Sequence, residues 1–466
     1  MNFDSVVFLS CFLPALMLLS LLPRGAKGRN VLLLAAGLLF YAFGSLTGLL
    51  LLLACAAVNY AFGVRILRSS GGGNALAAAA IALDLAFLGA FKYLNFALSA
   101  LLPLFGASPV RLALTAPVGI SFFTFKCISY IVDVRRDRRN GTTRFFDLLL
   151  YISFFPQIMA GPIARFPDFR EQLDLWDRSP RQTAEGLRRF VVGLGKKLIL
   201  AQTAAEVADL AFGADAALSA PLAWACAAAY MLQIYFDFSG YSDMALGLGR
   251  IFGFTAPENF DDPYAARSIT DFWRRWHISL SLWFRDYLYI PLGGSRKGRA
   301  RAAFNKFIVF VLCGLWHGAG WNFILWGAWH GVLSAAETLL RGKRRADSFP
   351  LRLLGRVYTL LAVGVGFVFF RASDPAEGWR ILRAMLGLSP AAPGAVAALR
   401  GALTPLNAAI LLAAVVLCFP LKKRIAPLAA KPAGRILSYA LCAVLLVLCL
   451  TRLAYGGFAP FIYFQF

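Results

Sequence analysis

The chain has 466 residues, of which 59% are hydrophobic and 15% are charged, and its mean hydropathy is +0.66. A soluble globular domain carries about 25% charged residues, so this composition excludes a soluble enzyme, a disordered regulator and a secreted disulfide scaffold. Lys and Arg number 47 against 24 Asp and Glu, which gives a net charge of +23. These basic residues stand in short clusters between apolar runs, as in the cytoplasmic loops of a membrane protein, and they do not indicate a nucleic-acid partner.

The apolar runs predict an all-α polytopic membrane protein with about 11 or 12 transmembrane helices, because a span needs about 20 mostly apolar residues. The predicted spans are residues 3–22, 31–47, 49–66, 75–103, 117–134, 198–214, 221–250, 303–322, 323–340, 352–371, 405–420 and 435–453. Twelve crossings place every basic cluster on the cytoplasmic side and both termini outside, with an uncleaved first span. We expect a single domain over residues 1–466.

Three segments differ from these spans. Residues 145–163 carry proline and glycine at membrane depth, which predicts a re-entrant or interfacial piece packed against protein rather than lipid. Residues 165–197 and 256–300 mix charged residues with spaced Leu, Phe and Trp. This pattern predicts amphipathic or interfacial helices on the cytoplasmic side.

Six charged residues lie inside predicted spans, where each needs a partner or a function. They are Asp84, Lys92, Lys126, Asp133, Asp237 and Asp243. Arg274 and Arg275 are plausible partners for Asp237 and Asp243, and such pairs would be structural. The other four residues either line a cavity or pair with one another.

The three histidines of the chain, His277, His317 and His330, fall within one stretch. His317 lies inside a span between Trp316 and Gly318, and an ionisable residue there is a functional hypothesis by default. A neutral imidazole can act as a general base, and the adjacent glycines let a helix or a thin substrate approach. The alternative is a histidine that only packs helices, and we favour this alternative for His330.

Two tryptophans and two arginines form a cluster, Trp273-Arg274-Arg275-Trp276, next to His277. Arg suits phosphate geometry and Trp suits a flat ring, so the cluster could bind a phosphate-rich donor. An aromatic and basic belt at the membrane interface is an equally good interpretation.

Signatures of several other classes are missing from the sequence. The chain has no P-loop, no G-x-S-x-G elbow and no H-E-x-x-H motif. Its eight cysteines lie in apolar stretches, form no C-x-x-C pair and have no histidine at metal spacing. The sequence therefore predicts no metal site and no disulfide.

Long strings in the chain resemble the membrane-bound O-acyltransferase superfamily, and specifically its bacterial alginate O-acetylation branch. The strings are GISFFTF at 119–125, FPQIMAGPI at 155–163, QIYFDFSGYSDMA at 233–245, PENF at 257–260, SITDFWRRWHISLS at 268–281, WFRDYLYIPLGG at 283–294, GLWHG at 314–318 and FIYFQF at 461–466. The resemblance covers nearly the whole chain, and such long strings are specific.

The resemblance implies helices around a central funnel or tunnel through the membrane. It implies that His317 is the catalytic residue and that His277 assists catalysis or holds the donor. The residues that it places at the donor or substrate are Trp273, Arg274, Arg275, Trp276, Asn259, Asp271 and Trp316. No cofactor is expected to be bound permanently.

The implied reaction moves an acetyl group from a cytoplasmic thioester across the bacterial inner membrane. Acetyl-CoA is the expected donor, with a carrier-protein thioester as the alternative. A periplasmic esterase-like partner of the SGNH type is expected to place the acetyl group on a polysaccharide such as alginate. Cellulose, peptidoglycan and teichoic acid are alternative acceptors.

The aromatic end of the chain adds a sharper hypothesis. In related systems a tail tyrosine is proposed as an acyl relay, and Tyr463 would take this role here. The alternative is an aromatic anchor at the membrane interface.

Two non-enzymatic functions compete with the acyltransferase. One is a transporter of polysaccharide or acyl groups without its own chemistry, and the other is a scaffold for a polysaccharide synthase. Neither needs a base within a span, so His317 favours the enzyme.

Overall fold

The computed structural model describes residues 1–108, 110–176, 179–213, 218–340, 348–389, 392, 394–421, 427 and 431–455. These residues are mostly helical, and among them the only β pairing is an isolated bridge between Phe260 and Trp276. The helices are α1 Leu13–Leu19, α2 Ala26–Ala42, α3 Leu46–Arg68, α4 Asn74–Leu88, α5 Leu94–Leu101, α6 Ile120–Arg136, α7 Phe145–Ser153, α8 Phe155–Ile158, α9 Phe166–Arg170, α10 Pro180–Gly195, α11 Gln202–Ala208, α12 Ala220–Ile251, α13 Ile269–Arg275, α14 Ile278–Phe284, α15 Gly298–His317, α16 Trp321–Leu339, α17 Phe349–Arg371, α18 Pro375–Met385, α19 Ala395–Ala402, α20 Pro405–Leu417 and α21 Pro432–Ala454.

Each of the twelve apolar stretches predicted from the sequence overlaps helical structure, so the all-α class is confirmed. Four helical segments of the described chain are long and apolar enough to cross a membrane. They are Leu46–Arg68, Asn74–Phe105, Phe349–Arg371 and Pro432–Ala454. The pair α19 and α20, bent by 80°, is a fifth candidate. The chain is a membrane protein, while the count of eleven or twelve crossings stays a prediction.

The chain folds into two compact units. Unit 1 comprises Met1–Phe190 and Ser242–Pro257, and unit 2 comprises Val191–Tyr241 and the described residues from Glu258 onwards. The long helix α12 contributes residues to both units. A single domain over residues 1–466 therefore stays a prediction.

Unit 1 is organised around α6, which is buried along almost its whole length and packs against α3, α4 and α7. A small residue allows the approach of α3, because a Cβ on Gly63 would lie 2.6 Å from the Tyr130 hydroxyl. The buried face includes Lys126, whose Nζ donates to the carbonyl of Tyr151 at 2.8 Å and to Gln157 Oε1 at 3.2 Å.

The predicted re-entrant piece also lies in unit 1. Helix α7 ends at Ser153 and α8 follows after one residue, and every residue from 148 to 164 is buried. The prediction that this segment packs against protein is confirmed for residues 148–163, whereas Phe146 is exposed. The break leaves carbonyl groups without helical partners, and Lys126 accounts for one of them.

The polar residues of the spans in unit 1 pair with neighbouring side chains and backbone. Asn59 Nδ2 donates to Asp84 Oδ1 at 2.8 Å, and Lys92 Nζ donates to Ser121 Oγ at 3.1 Å. Asp133 lies 3.8 Å from Arg136 on the same helix. Of the two alternatives, these contacts favour pairing over a polar cavity.

Both aspartates of α12 form ion pairs. In unit 2, Lys197 Nζ lies 2.7 Å from Asp237 Oδ1, and both side chains are less than 8% exposed. In unit 1, Arg189 Nη2 lies 2.9 Å from Asp243 Oδ1. Residues six positions apart project to different sides of a helix, so each aspartate meets a different basic residue.

The prediction that Arg274 and Arg275 pair with these two aspartates is wrong. Arg275 Nε instead donates to Asp271 Oδ1, one turn earlier on α13, at 2.9 Å. Arg274 is exposed. Sequence spacing favoured the local i,i+4 pair, which costs less chain ordering than a distant one.

Unit 2 contains the hairpin of α15 and α16, with α17 packed against α16. The short helices α13 and α14, which precede this hairpin, carry His277 between them. None of the eight cysteines forms a disulfide, and five of them are buried.

The buried pair in unit 2 generates a stability prediction. Asp237→Leu should destabilise the protein by about 3–5 kcal/mol, because it leaves the Lys197 ammonium buried without its carboxylate. The double variant Lys197→Met with Asp237→Leu should recover most of this loss. The measurement is the unfolding midpoint of the full-length protein in detergent.

Glu206→Gln is the matched control, because Glu206 pairs with Arg452 and both side chains are more than 40% exposed. An exposed pair contributes about 0–1 kcal/mol, so the midpoint should hardly move. A double variant no more stable than Asp237→Leu would contradict the prediction.

Candidate functional site

The hairpin of α15 and α16 places His317 at the last residue of α15. Glycine allows the two helices to touch: a Cβ on Gly314 would collide with the carbonyl of Phe323, and a Cβ on Gly327 with that of Phe310. At the turn, a Cβ on Gly318 would overlap the Phe323 ring. The expectation that glycines beside His317 admit a neighbouring helix is confirmed.

Aromatic rings enclose His317, which is 5% exposed. Its ring centroid lies 4.9 Å from Trp316, 5.0 Å from Trp326 and 5.2 Å from Phe370, all edge to face. Rings on three sides keep bulk water away from the imidazole. Electrostatic interactions of a reacting group are stronger in such a site than in water.

Helix α13 is fastened to α16 at its first turn. Ser268 caps the helix by accepting from the Asp271 N–H at 3.0 Å. Glu337 of α16 accepts from the N–H groups of Ile269 at 2.7 Å and Thr270 at 2.9 Å. A carboxylate that accepts from N–H groups at a helix N-terminus is stabilising, so Glu337 fixes the position of α13 beside α16.

His277 joins α13 to α14 and adopts a left-handed backbone conformation, with φ of 45°. A residue with a Cβ seldom adopts this conformation, so surrounding contacts must hold it. The Ile278 N–H donates to the Asn259 carbonyl at 3.0 Å, and the Asp261 N–H donates to the Arg275 carbonyl at 3.0 Å. This short antiparallel pairing holds His277 in place.

The side chain of Asn259 organises the same loop. Its Oδ1 accepts from the Ser279 N–H at 3.1 Å and from Ser279 Oγ at 2.7 Å, and it lies 3.4 Å from His277 Nδ1. Since an amide oxygen only accepts, the network assigns the proton of His277 to Nδ1. His277 Nε2 then carries the lone pair, and it has no hydrogen-bond partner among the described residues.

Burial lowers the pKa of His277 from its ordinary value of 6.5 to about 3, so the imidazole is neutral at neutral pH. Its ring packs edge to face on Phe238 at 4.6 Å. Trp316 is a second neighbouring ring, at 6.4 Å between ring centroids. Trp316 therefore contacts both His277 and His317, and the structure brings these two candidate residues to one region of unit 2.

His330 packs helices, in agreement with the interpretation favoured from the sequence. Its Nδ1 accepts from Trp273 Nε1 at 3.4 Å, and it is fully buried. A Cβ on Gly366 of α17 would lie 2.6 Å from His330 Nε2. His330 thus fills the junction of α13, α16 and α17.

The cluster at 273–276 divides between the interior and the surface. Trp273 and Trp276 are buried, and Trp276 packs on Phe272 at 5.5 Å and on Phe260 at 5.1 Å. An exposed interfacial belt is therefore wrong for these two rings. Arg274 is exposed, whereas Asp271 holds Arg275 by the bond within α13.

Two kinds of residue complete the comparison with the sequence. Tyr463, the candidate acyl relay, lies outside the described residues. Trp326 and Phe238 contact the two histidines, and Ser279 donates to Asn259 beside His277, but none of the three was singled out from the sequence. Trp326 precedes His330 by four residues, a spacing that places both on one helix face, and this spacing could have indicated it.

The arrangement offers two buried imidazoles in a dry, ring-lined region, which suits proton transfer to or from a hydroxyl. Among the described residues no group of three or more His, Cys, Asp or Glu side chains is placed to hold a metal ion.

Comparison with known proteins gives consistent matches. The model of the membrane-bound O-acyltransferase family matches residues 91–365, which include both histidines and Asn259. The chain is 43% identical to the probable alginate O-acetylase AlgI of Azotobacter vinelandii, over 83% of this chain and 78% of that protein. It is 39% identical to that of Pseudomonas putida over the full length of both. It is 34% identical to the peptidoglycan O-acetyltransferase of Helicobacter pylori, over 82% of this chain and 81% of that protein.

The Asn259 network predicts unequal losses of stability. Asn259→Leu removes the acceptor of two Ser279 donors and of His277, and each buried unsatisfied group costs about 1–3 kcal/mol. Ser279→Ala removes only one of these donors. The unfolding midpoint in detergent should therefore fall further for Asn259→Leu than for Ser279→Ala, and equal midpoints would show that the amide does not hold the loop.

Proposed function

This chain belongs to the membrane-bound O-acyltransferase family, and within that family we propose that it transfers acetyl groups from a cytoplasmic thioester for the O-acetylation of alginate. It is an acyltransferase, which removes the transporter and the scaffold as primary functions. The observation that carries the proposal is the enclosed His317, because only a chemical step needs a base at that position.

The reaction needs little from the protein beyond a base, positioning and donors for the oxyanion, since a thioester is already activated. His317 takes the proton of the attacking hydroxyl, whose oxygen forms a bond to the acyl carbon. The carbon–sulfur bond breaks, and the proton passes to the thiolate that leaves. His277, with its lone pair at Nε2, assists by accepting a hydrogen bond from donor or acceptor.

Acetyl-CoA is the proposed donor. The segment predicted to be cytoplasmic carries exposed basic side chains at Arg274, Arg296 and Arg299, and guanidinium groups match phosphate oxygens in geometry. Arg275 contributes less to phosphate binding, because Asp271 and Asp261 already compensate its charge. A carrier-protein thioester is the alternative donor.

Alginate is the proposed acceptor, and the inner membrane the proposed location, with both termini on the outer side. Relatives that are 39% and 43% identical carry the name probable alginate O-acetylase AlgI, whereas the relative named for peptidoglycan is 34% identical. A tunnel that passes only the acetyl group would avoid moving a polymer or charged CoA through the bilayer. A periplasmic SGNH-type partner would then complete the transfer.

His317→Ala should abolish acetylation of the polymer in cells while polymer yield and membrane level of the protein stay unchanged. Loss of a general base lowers a rate by about 10²–10⁴-fold, so acetyl content should fall at least about a hundredfold. The measurement is the acetyl content of purified polysaccharide.

Cys313→Ala serves as the matched control, since Cys313 is buried one turn earlier on α15 and has no role in the step. It should retain acetylation. If His317→Ala retained acetylation, His317 would not be the general base, and His277 would be the next candidate for this role. If the variant lost the polymer itself, the protein would also have a scaffold role beside its acyltransferase activity.

Tyr463→Phe tests the acyl relay. Phenylalanine keeps the ring and removes the hydroxyl that would carry acetyl, so acetylation should be lost at an unchanged membrane level. Full acetylation by this variant would eliminate the relay and leave Tyr463 as an interfacial anchor.

A further inference from the structure

The indole N–H of Trp326 is an unused hydrogen-bond donor beside the catalytic histidine. The side chain is 1% exposed, and its Nε1 has no hydrogen-bond partner in the part of the chain that the structure describes. Buried polar groups are nearly always hydrogen-bonded, and each exception calls for an explanation.

Three other indoles of unit 2 differ from Trp326 in this respect. Trp273 Nε1 donates to His330 Nδ1 at 3.4 Å, and Trp329 Nε1 donates to the Ala362 carbonyl at 2.8 Å. Trp224 Nε1 donates to the Met385 carbonyl at 2.8 Å. The fold therefore supplies acceptors for these three indole groups, and of the three Trp273 is buried as Trp326 is.

The groups packed against Trp326 leave it without an acceptor. Its ring lies 5.2 Å from Phe370 and 5.3 Å from His330, whose Nδ1 already accepts from Trp273. The ring of His317 meets it edge to face, at 5.0 Å and 86°. The ring that packs against the reacting imidazole thus carries an N–H donor without a partner among the described residues.

We propose that Trp326 Nε1–H donates a hydrogen bond to the carbonyl oxygen of the acyl group while that group is transferred at His317. This inference rests on the proposed function. As the hydroxyl oxygen adds to the acyl carbon, negative charge develops on the carbonyl oxygen. This charge passes to the sulfur atom when the carbon–sulfur bond breaks. A fixed donor in a dry site stabilises this charge without reorganisation.

Tryptophan suits this role better than a more flexible donor. Its ring is held by Phe370 and His330, so the N–H keeps its direction as the charge develops. It donates but does not accept or ionise, so it cannot compete with His317 for the proton. Trp326 is therefore assigned as a catalytic residue that contacts the acyl group.

The test compares Trp326→Phe with Trp329→Phe, on full-length protein in inverted membrane vesicles supplied with labelled acetyl-CoA. Trp326→Phe keeps an aromatic ring and removes the N–H. Loss of one oxyanion donor lowers kcat by about 10²–10³-fold, and KM for acetyl-CoA should stay within about twofold. Trp329→Phe removes an N–H bonded to backbone and should keep kcat near the wild-type value.

Trp326→Phe with at least half of the wild-type kcat would overturn the proposal. So would a fall in kcat of the same size in both variants, which would indicate lost packing. If Trp326→Phe does not accumulate, replacement of Trp326 by β-(3-benzothienyl)alanine keeps the shape of the ring system and substitutes sulfur for the N–H. Activity of that protein at the wild-type rate would also overturn the proposal.

His317→Ala in the same vesicles separates this inference from the proposed function. An active His317→Ala protein, or wild-type vesicles without any transfer from acetyl-CoA, would contradict the proposed function. An inactive His317→Ala protein beside a fully active Trp326→Phe protein would contradict only the role of the indole.

Discussion

The close packing of α15 against α16 is the constraint on which the site depends. Gly314 and Gly327 let each helix touch the backbone of the other, and any larger residue would push them apart. Only at this separation do His317, from the end of one helix, and Trp326, from the start of the other, meet edge to face. Packing between backbones is stiff, so the geometry at His317, the proposed base, is set by the hairpin rather than by a loop.

The second histidine is held in a different way. His277 adopts a left-handed backbone conformation between two short helices. Asn259 holds it there, because its carbonyl and its amide oxygen accept hydrogen bonds from Ile278 and Ser279 of the same loop. The same oxygen fixes the proton on Nδ1 and leaves the lone pair on Nε2. Glu337 and Ser268 anchor the preceding helix, so the strained residue is supported from both sides.

Much of this could be predicted from the sequence, for identifiable reasons. Apolar runs at membrane length give the helices, and a histidine among glycines and tryptophans inside such a run indicates His317. Other features depended on the direction in which side chains project. Asp237 meets Lys197 instead of Arg275, and Trp276 lies in the interior instead of on a surface. Composition cannot distinguish these outcomes, because the same residues suit either environment.

The sequence by itself determined the class of the protein, its helices and the position of His317, because hydrophobic length and rare motif strings are local properties of the chain. Only the tertiary structure decided which polar groups are satisfied. Whether an indole N–H such as that of Trp326 has an acceptor depends on residues distant in sequence that arrive at its edge. Hydrogen bonds are directional and short, so their pairing follows from how the helices pack rather than from the order of residues.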